Sequence, residues 1–367
     1  MNIVIIGEFS GLSKNLSDGF YQNGHECFIF SYGDGYKKIS LGHKGHIIKS
    51  YNSKFGKLLF GTLEKYKLRK YVRKLSKTQL FDVVIVLNPS FLKRKFFFWD
   101  TRFTEKMIMR LVKDPAQIYM LACGNDIVFY DYWIHKKTRS YDMIKLCEKQ
   151  FTHPIQKLLH KEYSKFIHKI IPTTFDYAQA WRCSCYAKGF RVFPMIPMPV
   201  NLDNFKVANS IEEKIVVFHG LNRPLFKGTS YIAEAMNRLE KEYPDKVVCI
   251  IKGNLPYVEY VKILEKTNIV IDQVYGFSPG MNALFSMAMG KVVLGGNGDG
   301  FKKEMRTPDI PIIDICPDSN FIFNELEKLI LNPSLILELS LKSRLYIEQY
   351  HDSRKVAKSY LDIFESE

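Results

Sequence analysis

The chain has 367 residues, with 53 Lys and Arg against 38 Asp and Glu, a formal net charge of +15. That length exceeds one ordinary core and predicts two domains, and 46% hydrophobic residues suffice to fill both. The charge calls for an acidic partner, whether a nucleotide ligand, nucleic acid or an anionic membrane surface.

The seven cysteines (Cys27, Cys123, Cys147, Cys183, Cys185, Cys249 and Cys316) are scattered, with neither metal-ligand spacing nor a disulfide framework, and point to a reducing cytoplasm. The apolar run Met1 to Ile6 is too short for a signal peptide and no basic stretch precedes it. No window has the length and purity of a spanning helix, so any membrane contact is expected from the side.

In chain order, Asn2 to Ile6 predicts a buried strand, Gly7 to Gly11 a tight turn, Lys14 to Asn23 a helix capped by Ser13 and stopped by Gly24, and His25 to Ser31 a second strand. This βαβ opening lacks the G-x-G-x-x-G turn of dinucleotide binders, which disfavours a nicotinamide or flavin enzyme. From Lys54 to Lys77 nine Lys or Arg accompany a single acid, Glu64, and Leu63, Leu68, Val72 and Leu75 give a basic amphipathic helix. After a strand at Phe81 to Leu87 comes Lys93, Arg94, Lys95, Phe96, Phe97, Phe98 and Trp99. Cations beside four aromatics suit an anionic bilayer surface; the alternative is the start of a core helix. Single-stranded nucleic acid is the other claimant to such charge, but no recognition module appears, and no nucleic-acid partner is expected.

Ala116 to Ala122 reads as a further strand ending in Cys123-Gly-Asn-Asp126, at the carboxyl end where open α/β sheets bind ligands. Asp126 is a candidate for accepting or orienting a hydroxyl proton; ordinary turn chemistry is the alternative. Strands at Lys169 to Pro172 and Phe193 to Met198, with a helix at Phe175 to Arg182 between them, close the first half. Pro194, Pro197 and Pro199 then lead an extended crossing to Phe205.

The second half repeats the rhythm, with strands at Lys214 to Phe218, Lys246 to Lys252, Asn268 to Ile271, Lys291 to Leu294 and Pro311 to Ile315. The fold expected is α/β, two doubly wound domains facing across a cleft, divided as 1–200 and 206–349. Between the first of these strands and its helix, the loop carries Arg223 and Lys227. Two cations just before a helix N-terminus suit an anion of diphosphate size, although a merely solvated basic loop is the alternative. Further on, Ser278-Pro279-Gly280 feeds a small-residue helix whose amides a ligand can approach closely. Both segments leave the carboxyl ends of strands and are expected to converge on one anion.

These stretches carry a family resemblance. His219-Gly-(x)2-Arg223-(x)3-Lys227-Gly-Thr, Lys252-Gly253-Asn254, Ile-Asp-Gln and Ala283-Leu-(x)2-Met-Ala-Met-Gly-Lys-(x)-Val resemble the retaining glycosyltransferases of family 4, which have the GT-B fold. The resemblance implies that Arg223 and Lys227 hold a donor diphosphate together with amides of Gly280, Met281 and Asn282. It puts the nucleotide base at Gly253, Asn254 and Leu255, includes His219 and Ser278 in the donor site, brings Gly11 to the diphosphate from the other domain, and turns Asp126 to the sugar or acceptor. It further implies retention of configuration, no metal or other cofactor, a glycan or lipid-linked glycan acceptor, and a last helix, within 350–367, returning to the first domain. The family's two glutamates, eight apart, are replaced by Phe277 and Phe285. Asn282 and Ser286, one turn apart, are left as weaker candidates for sugar hydroxyls. A GT-B epimerase or phosphorylase, or an inactive binding relative, is the alternative.

Overall fold

The computed structural model describes residues 1–31, 39, 41, 43–47, 70–87, 102–124, 126–208, 210–253 and 255–367. The membrane candidates Lys93 to Trp99, the base-site candidate Asn254, and most of the expected basic helix lie outside them, although 70–78 is helical.

Two parallel sheets organise the described chain. The first has seven strands, β1 (Asn2–Ile6), β2 (Glu26–Ser31), β3 (Gly45–Ile47), β4 (Val83–Leu87), β5 (Ile118–Ala122), β6 (Lys169–Pro172) and β7 (Arg191–Val192), in the spatial order β3-β2-β1-β4-β5-β6-β7. The second has five, β8 (Ile215–Gly220), β9 (Val247–Lys252), β10 (Ile269–Ile271), β11 (Val292–Gly295) and β12 (Ile312–Asp314), in the order β12-β11-β10-β8-β9. Every strand pair is parallel. Central strands such as β4, β5 and β11 are buried along their whole length, which is why they read as unbroken apolar runs. The expected strand at 193–198 is an extended segment instead: β7 ends at Val192, and beyond it only Phe193 N–H, to Ile170 O at 2.9 Å, and Ile196 N–H, to Pro172 O at 3.0 Å, still reach β6, since the intervening Pro194 and Pro197 have no N–H to offer.

Helix α1 (Leu12–Gln22) starts two residues earlier than expected, because Gly11 rather than Ser13 is its N-cap; the Ser13 hydroxyl donates back to the Gly7 carbonyl at 2.8 Å. Gly24, in the left-handed region at φ 80, ends it, and His25 N–H returns to Phe20 O at 3.0 Å. The crossing at 194–205 is tied to α1 through Asn201, whose amide N–H donates to Asn15 Oδ1 at 2.6 Å. The chain comes back at Val200, which exchanges backbone hydrogen bonds with His351 and Ser353. The final helix, Ser353–Ser366, then lies on α1, with Tyr360 and Phe364 against Phe20.

Opposite that crossing, the two sheets' domains meet again. Arg139 forks onto both carboxylate oxygens of Asp314 at 2.7 Å each, Ser140 Oγ donates to the Tyr275 carbonyl at 2.6 Å, and the Phe277 ring stacks on Trp133 at 5.1 Å under the Arg139 guanidinium. Phe277 is therefore a packing residue that joins the domains.

Candidate active site

In the second sheet the strand order reverses direction beside β8, with β9 on one side and β10 on the other, so the crevice beyond the carboxyl ends of β8 and β10 is where an open parallel sheet binds ligands. The segments leaving those ends are Leu221 to Gly228 and Asp272 to Gly280. They form one wall of a cavity of about 540 Å³, and the first domain forms the other.

Arg223, Lys227, Ser278, Gly280, Met281 and Asn282 all line that cavity. Arg223 is exposed and held at φ 66, an uncommon left-handed conformation for a residue with a side chain, and its guanidinium lies over the Phe226 ring at 4.3 Å. Lys227 is mostly buried and donates to Asp272 Oδ1 at 3.1 Å. Asp272 also accepts from Gly280 N–H and Asn282 Nδ2, each at 3.1 Å. Burial pushes the Asp272 carboxyl up, but Lys227 and these donors outweigh it and hold the group below the usual carboxylate range.

Gly280 is the N-cap of α2 (Met281–Ala288). With its amide taken by Asp272, the next amides, of Met281 and Asn282, have no acceptor among the described residues. Free first-turn amides beside Arg223 and Lys227 form an anion-binding corner.

A smaller pocket of about 80 Å³ adjoins this corner and shares Ser10, Asn222 and Asn282 with the larger cavity. Gly253, Leu255, Tyr260 and Phe285 also line it. Gly253 has to be glycine, since a Cβ there would stand 2.2 Å from the Leu221 carbonyl oxygen. Phe285 stacks on Phe205 at 5.0 Å and points its edge at Gly11, where a Cβ would lie 3.1 Å from the ring.

Against known proteins, no family model matches the sequence and no curated protein matches it; the similarity lies in three dimensions. A sucrose-phosphate synthase from Thermosynechococcus elongatus superposes with a TM-score of 0.64 at 14% identity, covering 100% of this chain and 99% of that one. Anabaena HepE, solved with UDP-glucose, gives 0.64 at 14% identity over 100% of both chains, and TarM 0.62 at 12% over 99% of this chain and 98% of that one. These neighbours span both domains and are GT-B glycosyltransferases.

The fold is GT-B.

Within this GT-B frame several expected site residues are engaged by the protein itself. Asp126 is buried and caps the helix Ile127–Trp133, its Oδ1 accepting Phe129 N–H at 2.9 Å, and it does not line either cavity. His219 is fully buried, with Nδ1 paired to the Ile271 carbonyl at 2.8 Å and Nε2 to Thr229 Oγ1 at 2.9 Å. Burial, helped by Lys227, lowers its pKa to about 4, so it is a neutral tie between β8, β10 and the helix Thr229–Glu242. Ser286 is also buried and bonds back to the Asn282 carbonyl at 2.7 Å, which is the usual resting place of a serine one turn into a helix. Asn282 holds Asp272 with its amide and accepts from the Tyr260 hydroxyl. The Gly11 amide donates to the buried Glu8 at 2.8 Å.

Asp272, inside the Ile-Asp-Gln stretch, and Asp176 have no role assigned from the sequence. An acid directly after the apolar strand run Ile269 to Ile271 was a usable signal for Asp272. Nothing local marked Asp176, the second residue of the helix Phe175–Cys183, whose Oδ1 accepts Phe277 N–H at 3.0 Å from the facing domain. Burial raises its carboxyl pKa, and Ser278, Phe277 and Arg139 offset only part of that.

Proposed function

We propose that the chain is a glycosyltransferase that takes a sugar from a nucleoside diphosphate donor and adds it to a hydroxyl of a glycan or lipid-linked glycan. One observation carries the reading: two cations from the β8 loop and the open first-turn amides of α2 line the same cavity, at the switch point of the second sheet. A diphosphate there meets forked guanidinium, ammonium and amide donors at once. Covalent connectivity then runs the nucleoside into the pocket at Gly253 and Leu255 and the sugar into the cleft toward the first domain.

Transfer breaks the bond between the anomeric carbon and the β-phosphate oxygen and forms one to the acceptor oxygen, with the acceptor's proton passing to the departing phosphate. The charge growing on that phosphate is what Arg223, Lys227 and the Met281 and Asn282 amides stabilise. Retention of configuration is part of the proposal through the sequence resemblance. So is a station on an anionic membrane surface, which rests on the run Lys93 to Trp99; no described helix is long and apolar enough to span a bilayer.

A thermal-shift panel of nucleotide sugars tests the donor reading. The expected result is a rise in melting temperature with one donor class and its nucleoside diphosphate, and no such rise with Arg223→Ala. Absence of a shift with every donor would remove it. Charge reversal of Lys93, Arg94 and Lys95 to Glu is expected to release the protein from anionic liposomes, and unchanged pelleting contradicts the membrane station.

A further inference from the structure

The wall of the large cavity that comes from the first domain includes the polar side chains of Thr174, Asp176 and Gln156, which diphosphate binding leaves unused. Thr174 is 7% exposed and Gln156 8%, and among the described residues neither the hydroxyl of the one nor the amide of the other has a hydrogen-bond partner. Their polar atoms open on the cavity and are left to solvent or to a polar ligand that enters it.

Asp176 is fixed differently. Its carboxylate reaches across the cleft to the Phe277 amide at 3.0 Å and to the Ser278 hydroxyl, while Ser278 Oγ itself accepts Phe175 N–H at 3.2 Å. The carboxylate thus sits beside the turn that feeds the Met281 and Asn282 amides, on the side away from the nucleoside pocket, whose lining at Gly253 and Leu255 does not include it. With the diphosphate held at those amides, the next group along the donor enters the cavity that Asp176 also lines.

We infer that Asp176 accepts a hydrogen bond from a hydroxyl of the transferred sugar, with Thr174 and Gln156 completing a subsite for a polyhydroxylated group. The inference rests on the donor reading above and adds which wall holds the sugar. A carboxylate accepts from hydroxyls more strongly than any neutral group, and being fixed by Phe277 and Ser278 it needs no reorganisation to do so. Because it arrives from the first domain, sugar binding requires both domains in their joined arrangement.

The test compares Asp176→Asn with wild type by calorimetry on two probes: UDP-glucose and UDP, or the best nucleotide sugar from the thermal-shift panel and its own nucleoside diphosphate. The expected outcome is a loss of about tenfold or more for the nucleotide sugar and no change for the nucleoside diphosphate. Equal losses on both would mean that Asp176 only supports the Phe277 to Gly280 turn, and unchanged affinity for both would mean that it does not touch the sugar; either result overturns the inference. Thr174→Val, which keeps the side-chain shape, is expected to repeat the split more weakly, and decides the question should Asp176→Asn fail to fold. Wild type that binds neither probe refutes the donor reading itself, and is distinguishable from both failures.

Discussion

Two helix N-termini face the cleft, one from each domain, and they are finished in opposite ways. At α1 the buried Glu8 carboxylate accepts both the Gly11 amide at 2.8 Å and the Lys14 amide at 2.9 Å, so the positive end of the helix is neutralised from within the protein. At α2 the internal carboxylate, Asp272, takes only Gly280, is itself balanced by Lys227, and leaves the amides of Met281 and Asn282 without acceptors among the described residues. The first end is largely closed to an anion, with only the Ser13 amide of its first turn left without an acceptor among the described residues, and the second is open. Both domains have the same kind of sheet, but in the proposed function only the second offers a place for a diphosphate, and the first would supply polar walls for the remainder of the ligand.

The largest effect that sharpens this contrast is expected from Asp272→Ala. It strands Lys227, whose side chain is 13% exposed, and frees the Gly280 amide, which is expected to cost about 3–5 kcal/mol in denaturant unfolding. A cost near zero would mean that Asp272 is not the keystone of the open end.

Acid is the next lever. His219 under the anion corner and His351 at the crossing are both lowered to about 4, first by burial, and both are hydrogen-bonded to carbonyls. Since the unfolded chain binds protons more readily, their contribution is present above the unfolded value near 6.5 and is lost as pH falls from there toward 4, by roughly 1.4 kcal/mol per pH unit for each. Unfolding midpoints flat between pH 6.5 and 4.5 would contradict this sequestered role.

At the closed end, Gly11→Ala places a side chain at φ 88 against Phe285 and is expected to cost about 1–2 kcal/mol. The smallest change is Glu8→Gln. It keeps an acceptor for one amide, lowers stability by about 1 kcal/mol, and is expected to leave nucleotide affinity unchanged, since a side chain of the protein already takes the Gly11 and Lys14 amides of that helix end.

Much of this architecture was legible in the chain. Apolar β-branched runs gave the central strands because both faces of a parallel sheet are covered, and the expected meeting of the cationic loop with the Ser-Pro-Gly turn holds to the extent that both line one cavity. What stayed hidden was long-range. That Glu8 closes one helix and Asp272 only partly fills another depends on which amide each carboxylate reaches. That Phe277 turns to Trp133 and Arg139 depends on how the domains meet. His219 and Asp126 illustrate the limit most plainly. A histidine ending a strand and an acid following a Gly-Asn turn look like site chemistry by position, whereas here their partners are a buried carbonyl and a helix cap.

The most direct measurement is a calorimetric titration of UDP-glucose, or of the best donor from the panel, into wild type, Arg223→Ala with Lys227→Ala, and Glu8→Gln. The open-end account predicts binding to wild type and to Glu8→Gln with similar affinity, and loss of about a hundredfold or more in the double variant while its circular dichroism stays native. Retained affinity in the folded double variant would contradict it.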